Sequence, residues 1–134
     1  MERTRTDPWL TAAVLTHLLV TFVHGAAHSG AKVGLGPLQA IFVFAVIEIG
    51  PVLGLVASRF RPALGGWIVA ASMAGALVFG FVNHFVLISP DHVSHVVPAW
   101  RPLFASSAAL LVVTELAGVV AGWRRATRRV EVEP

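Results

Sequence analysis

Four stretches of the chain are each long enough and apolar enough to cross a bilayer, whose hydrocarbon core of about 30 Å takes about 20 helical residues. They run from about 9 to 28, 37 to 58, 64 to 88 and 102 to 123. A segment in hydrocarbon has no water to bond its backbone, which leaves helices or closed barrels. A barrel strand alternates apolar and polar side chains over about ten residues, and no such alternation runs through these stretches. The expectation is an all-α fold: an integral membrane four-helix transmembrane bundle with left-handed packing, residues 1–134 forming a single transmembrane domain. The connections between spans are short, so no soluble catalytic domain lies between them.

Composition agrees. Charged residues make up 13% of the chain and hydrophobic residues 56%, whereas a soluble domain carries about 25% charged residues. That excludes an ordinary soluble fold, and so high a hydrophobic share excludes disorder. There is no Cys, hence no disulfide, no thiolate metal site and no iron–sulfur cluster. There is no Tyr, hence no phenolic acid or base.

Arg and Lys placement predicts orientation. Arg3, Arg5, Arg59, Arg61, Arg124, Arg125, Arg128 and Arg129 fall on one side, and only Lys32 and Arg101 on the other. Both N and C termini are therefore expected to be cytoplasmic, in a multi-pass protein of the cell membrane. Trp9, Trp67 and Trp123 fall at the inner interface and Trp100 at the outer one, as aromatic belts require. The pI of about 11.1 follows from the same topology. It points to membrane lipid, with the C-terminal Arg cluster on anionic headgroups, and not to a nucleic acid. The basic start and Gly25-Ala26-Ala27 loosely fit a signal peptide, but the apolar run is long for one, and it is read as the first span.

Ionisable residues within spans mark function by default, because burying them in lipid is costly. Here they are His17, His24, His28, Glu48, His84 and Glu115. At about 100° per residue, His17, His24 and His28 share one face of the first helix. A single His is most simply polar glue between helices, but three on one stripe point to a site. His84 continues a stripe of Ser72, Ala76 and Gly80 on the third helix, which directs it at a packed neighbour. The loop Ser89-Pro90-Asp91-His92-Val93-Ser94-His95 opens with a helix-start signal, and a short outer helix would place His92 and His95 on one face.

Depth groups these residues. His24, His28, His84, His92 and His95 converge near the outer face. His17 and Glu48 lie deeper, at similar levels, as an inner pair suited to catalytic proton handling. Pro51 lacks an N–H and so frees the carbonyl of Ile47 beside Glu48. Pro37-Leu38 precedes Glu48 much as Pro102-Leu103 precedes Glu115, a faint repeat of two helical hairpins.

Two His four residues apart can share one metal ion, and His84 adds a third nitrogen, which suits a divalent transition metal such as zinc, copper or iron. His92 and His95 are further metal-ligand candidates, and Glu48 and His17 the catalytic candidates. The His24-x-x-x-His28 spacing resembles one of the histidine boxes of membrane desaturases and hydroxylases, although the His-His box of that family has no counterpart here.

The site reads most directly as a metalloprotein acting on a small or lipid-soluble substrate at the outer face. Haem b held by His24 or His28 with His84 is the alternative, although one haem takes only two His. A chain of His and Glu through the bundle would instead relay protons, which requires a homo-oligomer or a larger membrane complex. Polar residues that only lock helices together would make the chain a structural accessory subunit.

Overall fold

The computed structural model describes residues 7–128. Arg3, Arg5 and Arg129 of the basic flanks lie outside them. Four helices are long and apolar enough to cross a membrane: α1 (Pro8–Ala31), α2 (Pro37–Ala57), α3 (Pro62–Val86) and α4 (Arg101–Thr127). Each carries a Pro in its first two positions, where the fixed φ suits the helix and the missing N–H costs no hydrogen bond. Asp7 caps α1, accepting hydrogen bonds from the N–H groups of Trp9 (3.0 Å) and Leu10 (3.2 Å). Such a cap is worth about 1 kcal/mol.

α4 packs against both α1 and α3, and α2 packs on α3. Small residues set the close approach. A Cβ built on Gly122 would lie 2.7 Å from both the backbone nitrogen of Ala70 and the carbonyl oxygen of Gly66. Between helices in lipid, association rests on contact and hydrogen bonding because the surrounding tails are as apolar as the side chains, and glycine allows backbones to meet. Around this contact Leu10, Val14, Val69 and Met73 form a buried cluster joining α1 and α3. The start of α1 and the end of α4 meet through Arg128 Nη1 and Asp7 Oδ2 at 3.2 Å. Both ends of the described chain thus lie at one end of the bundle.

Two stretches depart from regular α-helix. Over Val43–Ile49 in α2 and Val82–Val86 in α3 the turns widen to π geometry. The N–H of Gly50 bonds the carbonyl of Ala45 and that of Leu87 bonds Val82, five residues back in each case. Such bulges re-aim side chains and recur at functional sites. Here they carry Glu48 and His84.

The connection from Leu87 to Trp100 corrects one expectation. It forms successive turns, not a short helix. Its backbone is drawn inward instead: the Val93 N–H donates to the His84 carbonyl at 3.0 Å. Val96 is buried with Ala27, Ala31 and Phe104, and the Trp100 ring lies directly on Gly30. This loop therefore closes the end of the bundle opposite the termini.

Candidate metal centre

His24 and His28 project from α1, one turn apart, and His84 projects from the π-turn of α3. The three form a buried group whose ligand atoms lie within 4.8 Å of one another, a group able to hold a metal ion. The Phe104 ring packs against all three imidazoles, with centroids 4.8 Å from His24, 4.8 Å from His28 and 5.2 Å from His84. It keeps that side of the group dry.

His28 Nδ1 donates to the Val33 carbonyl at 3.2 Å, and His84 Nδ1 donates to the Asp91 carbonyl at 3.1 Å. Their Nε2 atoms are thereby the nitrogens that can take a ligand role. His24 Nδ1 lies 2.8 Å from Ser107 Oγ, a hydroxyl able to donate or accept. His24 Nε2 and His84 Nε2 face each other across 3.1 Å.

Asp91 borders the group. Its Oδ1 lies 3.4 Å from His28 Nε2 and 3.3 Å from His84 Nδ1. Burial pushes the Asp91 carboxyl up, but the His84 hydrogen bond and the neighbouring imidazoles outweigh it and hold the carboxyl below its ordinary range. Asp91 is therefore a carboxylate that supports the histidine group, one that reading by histidines passed over. The only signal for it in the sequence was a lone carboxylate inside the turn-rich loop before His92.

Three ring nitrogens thus meet in one buried group beside the Asp91 carboxylate. A metal ion bound by the three nitrogens would match the lone pairs they offer. Zinc–nitrogen bonds of about 2.0–2.1 Å in tetrahedral geometry set two such nitrogens roughly 3.3 Å apart, close to the separation of His24 Nε2 and His84 Nε2. His28 and His84 already donate their other N–H to a fixed acceptor, the arrangement that orients metal-bound histidines.

The remaining sequence candidates lie elsewhere. His92 is partly exposed and His95 exposed. His92 Nδ1 accepts from the Ser94 N–H at 3.2 Å and His95 Nδ1 donates to the Ser89 carbonyl at 2.9 Å, so both rings are engaged within the loop. His17 is fully buried. Its Nε2 donates at 3.2 Å to the Ile47 carbonyl, the group that Pro51 leaves without an α-helical donor. His17 thus meets the backbone beside Glu48, while the Glu48 side chain borders a cavity shared with His24, His28, His84 and Asp91. Glu115 is 2% exposed, and its Oε2 has no hydrogen-bond partner.

The chain matches no protein-family model, no curated protein and no solved structure.

Proposed function

We propose that this chain is a small integral membrane metalloprotein of the cell membrane, with both termini cytoplasmic and one transition metal ion near the outer face. The convergence of one ring nitrogen each from His24, His28 and His84 within 4.8 Å of one another supports it. Nitrogen ligands without sulfur suit zinc, copper or iron. When bound, such an ion supplies Lewis-acid or redox chemistry. The substrate is small or lipid-soluble and reaches the site through the adjoining cavity. Glu48, across that cavity, accepts or returns a proton. His17 holds the π-turn that carries Glu48. The 3.1 Å gap between His24 and His84 favours an ion over haem b, whose macrocycle would have to pass between the two nitrogens. The test is elemental analysis of purified, untagged protein together with its visible absorption spectrum. One equivalent of zinc, copper or iron without a Soret band is expected. A Soret band, or no metal under conditions that load other metalloproteins, sinks the reading.

A proton path is the second reading, favoured by two unpartnered buried atoms, His17 Nδ1 and Glu115 Oε2. A single chain of four helices would serve it within a homo-oligomer or a larger complex. Proton flux into liposomes carrying the protein, abolished by Glu115→Gln, would establish it.

A further inference from the structure

Helices α1 and α2 touch through the Gly50–Ala57 segment and through the His17–Ile47 hydrogen bond. Beyond that point they part around a cavity of about 560 Å³. His24, His28, His84 and Asp91 reach it from one side and Phe44 and Glu48 from α2. Pockets of roughly 300–1,000 Å³ bury a ligand of drug-like size.

The space is not a packing defect between close backbones. Gly25 and Gly80 both border it. A Cβ on Gly25 would meet nothing within 4 Å, and one on Gly80 only His84 Cδ2 at 3.9 Å. That contrasts with Gly122, where neighbouring backbone forbids a side chain. The two cavity glycines keep volume open.

The direction of opening identifies the occupant. At the loop end the cavity is bordered by Lys32, Gly34 and Leu35 of the α1–α2 connection, which are exposed. The flank is not covered: Phe44 is 57% exposed on the side of the bundle, which faces acyl chains once the helices span a bilayer. His28 and His24 lie three and seven residues inside the end of α1 at Ala31, about 4.5 and 10 Å at 1.5 Å per residue. The headgroup layer of one leaflet is about 5–7 Å thick. The imidazoles therefore sit where outer-leaflet heads give way to chains. Lys32 borders the cavity at the head level and offsets the Asp91 carboxylate in the same lining, so that a negative head there is held through the bound ion.

We propose that the cavity is a lateral cleft for one outer-leaflet amphiphile: its single hydrocarbon chain lies against Phe44, and its anionic oxygen-bearing head lies at His24, His28 and His84. The proposal deepens the metal reading and rests on it only for the head's contact. The chain-binding cleft stands or falls separately.

The test uses the full chain in phosphatidylcholine nanodiscs, metal-free and after loading with zinc, with a long-chain fatty acid bearing a tail diazirine as the probe. After illumination, adducts are mapped by mass spectrometry, and zinc stoichiometry is measured on the same samples. Adducts should concentrate on residues 43–48 and 79–84. Relative to those on exposed Leu53 and Val56, they should fall at least fivefold in Gly80→Leu and in Gly25→Leu. Two variants guard against a folding fault in either. Equal labelling of Leu53, Val56 and the cleft, or labelling unchanged in both variants, overturns the cleft whether or not zinc is held. Concentrated labelling in samples that retain no zinc after loading overturns the metal reading and leaves the cleft standing.

Discussion

His24 and His84, sixty residues apart in the chain, bring their Nε2 atoms within 3.1 Å of each other. Each ring is oriented by its own Nδ1 contact, one with Ser107 and one with the Asp91 carbonyl. Two ring nitrogens stay that close only with a proton or a metal ion between them. Replacing either His by Ala is expected to remove stoichiometric metal, read by elemental analysis. Full loading in both variants would discard this ligand set.

Ser107 touches His24 only at Nδ1, on the side away from the proposed ion. Ser107→Ala removes the hydroxyl that fixes the ring. Loss of such a supporting bond lowers metal affinity about 10- to 100-fold. Competition with a chelator of known affinity measures it. Unchanged affinity would mean that ring orientation is set by Phe104 packing alone.

Asp91→Asn separates a supporting carboxylate from a metal ligand. Without metal, the substitution removes a carboxylate whose lowered folded-state pKa marks it as stabilising, so the melting temperature should fall. With zinc, the stabilisation added by the ion should stay the same if Asp91 only supports the histidines. Thermal scans with and without zinc give both. A larger fall with zinc would make Asp91 a fourth ligand.

Metal affinity should rise with pH, because imidazoles must be deprotonated to bind and protons compete for the same lone pairs. Asp91 has a lowered folded-state pKa. Its contribution to stability is thus present at neutral pH and lost only as the pH falls through that depressed value. Acidification should therefore weaken zinc binding. Zinc titrations at several pH values would show it, and pH-independent affinity would contradict imidazole ligation.

The His17–Ile47 bond makes a coupled pair with Pro51. His17→Ala leaves a buried carbonyl without its partner, a loss of about 1–3 kcal/mol. Pro51→Ala gives that carbonyl a backbone donor within α2. The double variant should recover part of the loss in detergent unfolding. Strict additivity would show that the carbonyl finds another donor when His17 is gone.

Four helices long and apolar enough to cross a membrane were legible in the chain without any contact, because the length of an apolar run is a local property. The stripe of His17, His24 and His28 was equally legible, since helical periodicity places residues on a face by spacing alone. The freed Ile47 carbonyl followed from the chemistry of Pro51. Its partner did not, because His17 belongs to another helix.

Other features needed the tertiary fold. The π-turn that aims His84 at His24 is a strained backbone choice that no residue type announces. Asp91 came to border the histidines only when the Val93–His84 hydrogen bond drew the Leu87–Trp100 loop into the bundle, and that same pull left His92 and His95 in the loop surface. Periodicity assigns a side chain to a face of its own helix. Whether the lone pairs on that face meet others depends on how helices distant in sequence approach, and small residues such as Gly66 and Gly122 set that approach by letting their backbones touch.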